Sequence, residues 1–236
     1  MTTKDSIHSP QKTARIAAFV FLIIFLLGMS SELFIRPGMI VPGNAAATVK
    51  NIAASESLFR LSLVSDLIRL MFLVLLPLVL YKLLKPVNKN IASLMVLFAL
   101  VCVPISMLNE LNDFAVLLLS SGAGYLAAFE TDQLHALVMF FLELRKYGTF
   151  IPQFYSLWML LLGYLVFKSG FLPRILGILL MLGGLCYTVS AVLFFLFPNF
   201  NTTIFGLFAF IAESFFYLWL LINGVMDQQP ARVEIG

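Results

Sequence analysis

Charged residues are scarce in this chain. Lys, Arg, Asp and Glu make up 11% of its 236 residues, against about 25% in a soluble domain, while 61% are hydrophobic and the mean hydropathy is +1.00. So little charge cannot cover the surface of a water-soluble fold of this length, which excludes that class. The net charge of +3 is spread over loops with no basic run, which argues against nucleic acid as a partner. Cysteine is nearly as rare. Cys102 and Cys186 both fall inside apolar runs, far from any CxxC or Cys/His spacing, and read as packed thiols. Of the two histidines, His8 is in the N-terminal tail and His135 forms no i, i+4 pair with Asp132 or Glu143, so no metal site is indicated. GxSxG, HExxH and Walker patterns are missing, and Ser30 and Ser31 have no nearby histidine. The residues point to no cofactor and match no known catalytic motif.

What the chain has instead is long apolar runs. A bilayer core of about 30 Å takes roughly 20 helical residues, and six stretches qualify: 14–34, 62–84, 91–111, 150–167, 175–197 and 204–225. A lipid-exposed backbone must satisfy its own hydrogen bonds, and nothing here alternates as a barrel strand does. The expectation is an all-α polytopic bundle, a single transmembrane domain over 14–226 between tails at 1–13 and 227–236. The start of the first run, with a basic residue, an apolar core and small residues at Gly28 and Ser30, also resembles a cleavable signal. The apolar character resumes through Leu33 and Phe34, which favours an uncleaved anchor.

Six spans with the N-terminus inside would put Lys4, Lys12, Arg15, Lys82, Lys85, Lys89, Lys168, Arg174 and Arg232 in the cytoplasm, and Arg36, Lys50, Arg60, Arg145 and Lys146 outside. That asymmetry puts both termini in the cytoplasm. The acids Glu32, Glu56, Glu110, Asp113, Glu130, Asp132 and Glu143 gather at the outer edge. Two outer helical segments are expected. One lies near 44–57, capped by Asn44 after the turns of "RPGMIVPGN"; the other lies near 131–146, opened by Thr131 and Asp132. Residues 114–129 read as an outward extension of the third span plus a turn, and the segment near 131–146 as an amphipathic or re-entrant helix.

The polar residues inside the runs raise the functional question. At 100° per residue, Asn109, Glu110, Asn112 and Asp113 share one half of a helix and Leu108 and Leu111 the other, so "MLNELNDF" is a polar face rather than a collar. A face of that kind must point into the bundle or a water-filled cavity. The second run carries Ser62, Asp66 and Arg69, the last two at the i, i+3 spacing of an ion pair. The short turn "KPVNKN" makes the second and third spans antiparallel neighbours, which brings Arg69 within reach of Asn109, Glu110 or its own Asp66. Glu213 in the last run lies at a depth similar to that of Arg69, so bundle packing would bring the two together. The candidate is an outward-facing buried polar site of Asp66, Arg69, Asn109, Glu110, Asp113 and Glu213, with Tyr187 and Ser190 as neighbours.

Three function classes fit these residues: binding or transport of a small solute or ion, a structural or sensory bundle whose charges only hold its helices in register, and an intramembrane enzyme acting on a lipid with Glu110 or Glu213 as acid or base. Pro77, Pro104 and Pro152 fall within helical runs and would kink them. Gly177, Gly184, Thr188 and Ala191 form a small-residue stripe suited to close packing.

Several stretches, "ARIAAFVFLIIFLLG", "IVPGNAAATVKNIAASESLFRLSLVSDLI", "LYKLLKPVNKNIA", "GYLAAF" and above all "LLLGYLVFKSGFLPRILGILLMLGGLCY", resemble an uncharacterised bacterial membrane family, domain of unknown function 4386. The resemblance covers most of the chain, from about Ala14 to Val225. It implies a helical protein of a prokaryotic inner membrane and supplies no reaction, ligand or catalytic residue.

Overall fold

A computed structural model describes residues 9–148, 154–197 and 200–226, of which eight α-helices are the main elements, with no strand among the described residues. They are α1 (Pro10–Met29), α2 (Ala45–Ala54), α3 (Glu56–Leu84), α4 (Lys89–Leu119), α5 (Thr131–Gly148), α6 (Phe154–Lys168), α7 (Arg174–Leu196) and α8 (Thr203–Ile222). Five helical stretches are long and apolar enough to cross a membrane: Pro10–Gly38, Glu56–Leu84, Lys89–Leu119, Arg174–Leu196 and Thr203–Ile222. The chain is therefore an all-α, multi-pass membrane protein by the length and composition of its helices. The fourth apolar run differs. Its residues 150–153, Pro152 among them, lie outside the described residues, and α6 has 15 residues, about 22 Å at 1.5 Å each. His8, Lys4 and the tail 227–236 also lie outside them.

Local chemistry sets the helix ends. Ser9 accepts from the Lys12 amide at 3.2 Å and Pro10 opens α1, where its missing N–H costs nothing. Asn44 accepts from the Ala47 amide at 2.9 Å to cap α2, and Asn88 does the same for α4 through the Ile91 amide at 3.0 Å. Gly43 and Gly170 turn the chain at φ of 72° and 71°, a region that side chains resist. Pro77 and Pro104 sit inside α3 and α4 without ending them.

The chain divides into two compact units, each considered by itself. One comprises Phe21–Leu75 and Leu100–Pro152. Its apolar core joins Met39, Ile52, Phe59, Leu63, Val116, Leu117, Val138 and Leu142, so the short helices α2 and α5 pack onto the parts of α3 and α4 that belong to this unit. The other comprises Met1–Val20, Leu76–Ala99 and Gln153–Gly236. Here α6 packs along α7 and α7 along α8. Glycines allow the close approach: a Cβ on Gly163 would lie 2.7 Å from the Gly177 carbonyl oxygen, and one on Gly184 would lie 2.9 Å from the Ser156 carbonyl oxygen. Thr188 Oγ1 donates to Ser156 Oγ at 3.0 Å in the same seam.

Candidate functional site

The first span does not stop at its apolar end. After Met29 the backbone widens into a π-helical stretch, Ser30–Ile35, followed by a 3₁₀ turn, Arg36–Gly38. A wide turn of that kind frequently marks a functional position. It carries Arg36 inward, where the residue is only 3% exposed.

Arg36 is the hub of the unit containing Phe21–Leu75 and Leu100–Pro152. Its Nη1 donates to Ser31 Oγ and, at 2.8 Å, to Glu32 Oε1. Its Nη2 donates to Asp66 Oδ2 of α3 at 2.8 Å and to Asp113 Oδ2 of α4 at 2.7 Å. Ser31 passes its own hydrogen to Asp66 Oδ2 at 2.8 Å. A guanidinium has five N–H groups. Four are engaged here and the fifth, at Nε, is buried without a hydrogen bond.

Arg145 approaches from α5. Its Nε donates to Asp113 Oδ2 at 2.6 Å and its Nη2 to Glu32 Oε1 at 2.5 Å. Burial alone would weaken its hold on its proton, but the carboxylates of Asp113 and Glu32 outweigh burial and raise its pKa above the ordinary value. That guanidinium is a permanent charge. Asn109 Nδ2 donates to the Arg145 carbonyl oxygen at 3.1 Å, which anchors the end of α5 on α4, and Asn112 Nδ2 donates to Asn109 Oδ1 at 3.0 Å, which holds that amide in place. Gly148 completes that joint, since a Cβ there would collide with the Asn109 amide.

Arg69 Nε donates to Asp66 Oδ1 at 3.1 Å, and its Nη2 lies 4.0 Å from Glu110 Oε1. Glu110 is the exception in the cluster. It is 4% exposed, faces Arg36 Nη2 at 3.9 Å and Arg69 at 4.0 Å, and accepts no hydrogen bond at Oε2; Asp113 Oδ1 is likewise buried and unbonded. Leu108 and Leu111 on the opposite side of α4 are exposed. Asp66, Arg69, Asn109, Glu110 and Asp113 thus come together with Arg36, Arg145, Ser31 and Glu32. Among the described residues no three His, Cys, Asp or Glu side chains assemble as metal ligands; the carboxylates here turn to guanidiniums.

Glu213 belongs to the other unit. It is 3% exposed, and both its oxygens contact the Tyr155 hydroxyl, at 2.7 and 2.8 Å. Tyr187 packs edge-on to Tyr155 with ring centres 5.7 Å apart, while Ser190 Oγ lies 3.5 Å from the Thr202 carbonyl oxygen, at the entry to α8.

Sequence reasoning missed Arg36 and Arg145 as site residues and counted both among the charges of the outer segments. Two signals were available. Glu32 and Arg36 have the i, i+4 spacing of a helical ion pair, which predicts that the helix continues past Phe34. Val138, Leu142 and Arg145 fall at i, i+4 and i+7, so the arginine extends the buried stripe of α5.

A family model described as a domain of unknown function, DUF4386, matches residues 16–224, which takes in both charged clusters. The chain belongs to the DUF4386 family. A similar protein from Archaeoglobus fulgidus, described as an uncharacterized protein, is 32% identical over 147 residues, covering 61% of this chain and 72% of that one. No solved structure matches this DUF4386 chain.

Proposed function

We propose that this DUF4386 protein binds a small polar solute or ion at the Arg36–Asp66–Glu110–Asp113 cluster, on the outward side of a prokaryotic cytoplasmic membrane, as a transporter or receptor of that solute. The observation that carries the reading is Glu110. A glutamate buried in a transmembrane helix is costly unless hydrogen-bonded, yet its two guanidinium neighbours stand at 3.9 and 4.0 Å, beyond the 2.7–3.2 Å typical of N–H···O bonds. Arg36 Nε, Glu110 Oε2 and Asp113 Oδ1 offer one donor and two acceptors with no protein partner. A small molecule carrying both kinds of group matches them. The orientation rests on charge: the turn between α3 and α4 carries Lys82, Lys85 and Lys89, and the turn between α6 and α7 carries Lys168 and Arg174, a basic bias that favours the cytoplasm and leaves the cluster outward.

A second reading has an observation of its own. Arg36, Arg69 and Arg145 are each paired with carboxylates, from Glu32, Asp66, Glu110 and Asp113, and a network of paired charges can serve only to hold helices in register. Thermal unfolding of the purified full-length protein against ions, organic acids, amines and amino acids separates the two. A compound that raises the unfolding temperature of the wild type, but not that of folded Glu110→Gln or Arg69→Met, supports the binding site. Stabilisation by none of them, with both variants changed only in stability, supports the structural reading.

A further inference from the structure

Glu213 stands near the middle of α8, a 20-residue helix, facing Tyr155 of α6, Tyr187 of α7 and Tyr217 one turn further along α8. The setting is aromatic throughout. Tyr155 packs on Trp158 at 4.9 Å and on Tyr187 at 5.7 Å, and Phe216 packs against Tyr217 at 5.0 Å. The titratable groups that face Glu213 are therefore phenols, and among the described residues no cation bears on it. An ionised carboxylate held in hydrocarbon surroundings without a counter-charge is strongly disfavoured.

The geometry adds an independent argument. The Tyr155 hydroxyl is 2.7 Å from one carboxyl oxygen and 2.8 Å from the other. A phenol has one hydrogen, and sharing it between the two oxygens leaves each bond bent and weakened. Both short contacts become true hydrogen bonds if the carboxyl carries a hydrogen of its own: the phenol donates to the carbonyl oxygen, and the acid O–H donates back to the phenol oxygen. The six atoms close a ring.

We infer that Glu213 is a proton-binding site, holding one proton in a ring with the Tyr155 hydroxyl inside the α6–α7–α8 unit. Glu213 is buried, so the proton passes to or from water when Tyr155 parts from it. Taking it up or giving it away switches the interior of this unit between neutral and charged. The inference does not rest on the reading of the Arg36 cluster, whose residues belong to the other unit.

Infrared spectra of the full-length protein in lipid nanodiscs at neutral pH test it. The wild type should show the carbonyl stretch of a protonated carboxyl group that Glu213→Gln lacks, that shifts in heavy water, and that moves in Tyr155→Phe, which loses the ring. Gln matches the neutral acid in shape, so Glu213→Gln should keep the wild-type unfolding temperature. A wild-type minus Glu213→Gln difference showing carboxylate stretches in place of the acid carbonyl overturns the proposal. If Glu213→Gln does not fold, Tyr155→Phe decides: a shifted acid carbonyl supports the site, and a change confined to carboxylate bands overturns it.

Discussion

Arg36 and Asp113, 77 positions apart in sequence, meet at 2.7 Å. The contact joins the extension of the first span to α4 with both groups buried, and it is charge-assisted, so each partner depends on the other being present. The same Nη2 also holds Asp66. One side chain thus ties three transmembrane segments together.

Removing it should be costly. Arg36→Met leaves Asp66 and Asp113 buried with part of their compensation gone, and loss of one partner from a buried pair costs about 3–5 kcal/mol. Arg36→Lys should recover only part of this, because an ammonium cannot reproduce a planar fork that engages Ser31, Glu32, Asp66 and Asp113 together. Unfolding temperatures in detergent should rank wild type above Lys and Lys above Met. Equal values for all three would show that the hub does not hold the fold.

Glu110→Gln should behave in the opposite way. Glu110 accepts no hydrogen bond at Oε2, attracts Arg145 and, across about 4 Å, Arg36 and Arg69, and is repelled by Asp66 and Asp113. These effects oppose one another, so neutralising it should change stability by less than about 1 kcal/mol, within the range of substitutions that break no specific bond. Unfolding measured without added solute checks this; a loss as large as that of Arg36→Met would place Glu110 among the structural charges.

The sequence shows some of this cluster and hides the rest for a physical reason. The polar face of α4 and the Asp66–Arg69 spacing follow from helical periodicity, which is a local property. Arg36 and Arg145 lie past the apolar runs, and a residue count that stops each helix where hydrophobicity stops assigns them to solvent. What brings Arg36 inward is a change of helix type at Ser30, and what brings Arg145 inward is the packing of α5 on a core assembled from four segments. Tertiary contacts decide both. The helical class, by contrast, is legible throughout, because composition and run length settle it, and of the span expected at 150–167 the described part is the helix Phe154–Lys168.

Arg145 and Asp113 should be energetically coupled. They are 2.6 Å apart, and Asp113 is also bound to Arg36. Arg145→Met and Asp113→Asn should each destabilise, while the double variant should lose less than the sum, with a coupling of about 0.5–3 kcal/mol as for other residues in one ion-pair network. A denaturant series on the four proteins measures it. Strict additivity would mean that the Arg145–Asp113 contact does not help to anchor α5, which is then held by Glu32, Asn109 and the core residues Val138 and Leu142.

The last prediction concerns the seam between α6 and α7. A Cβ at Gly163 would stand 2.7 Å from the Gly177 carbonyl oxygen, and one at Gly177 would stand 2.6 Å from the Gly163 carbonyl oxygen. Backbone cannot step aside as a flexible side chain can, so Gly163→Ala and Gly177→Ala should each destabilise by about 1–3 kcal/mol through overpacking. Their effects should not add, because either one alone forces the same two helices apart. Gly206 supplies the control. It lies within α8 with nothing near its missing Cβ, so Gly206→Ala should stabilise by about 0.4–1 kcal/mol by restricting the unfolded chain. Unfolding temperatures of the three single variants and of Gly163→Ala/Gly177→Ala test all of this. Destabilisation by Gly206→Ala as large as that at the seam would mean that helix glycines here share a role unrelated to close packing.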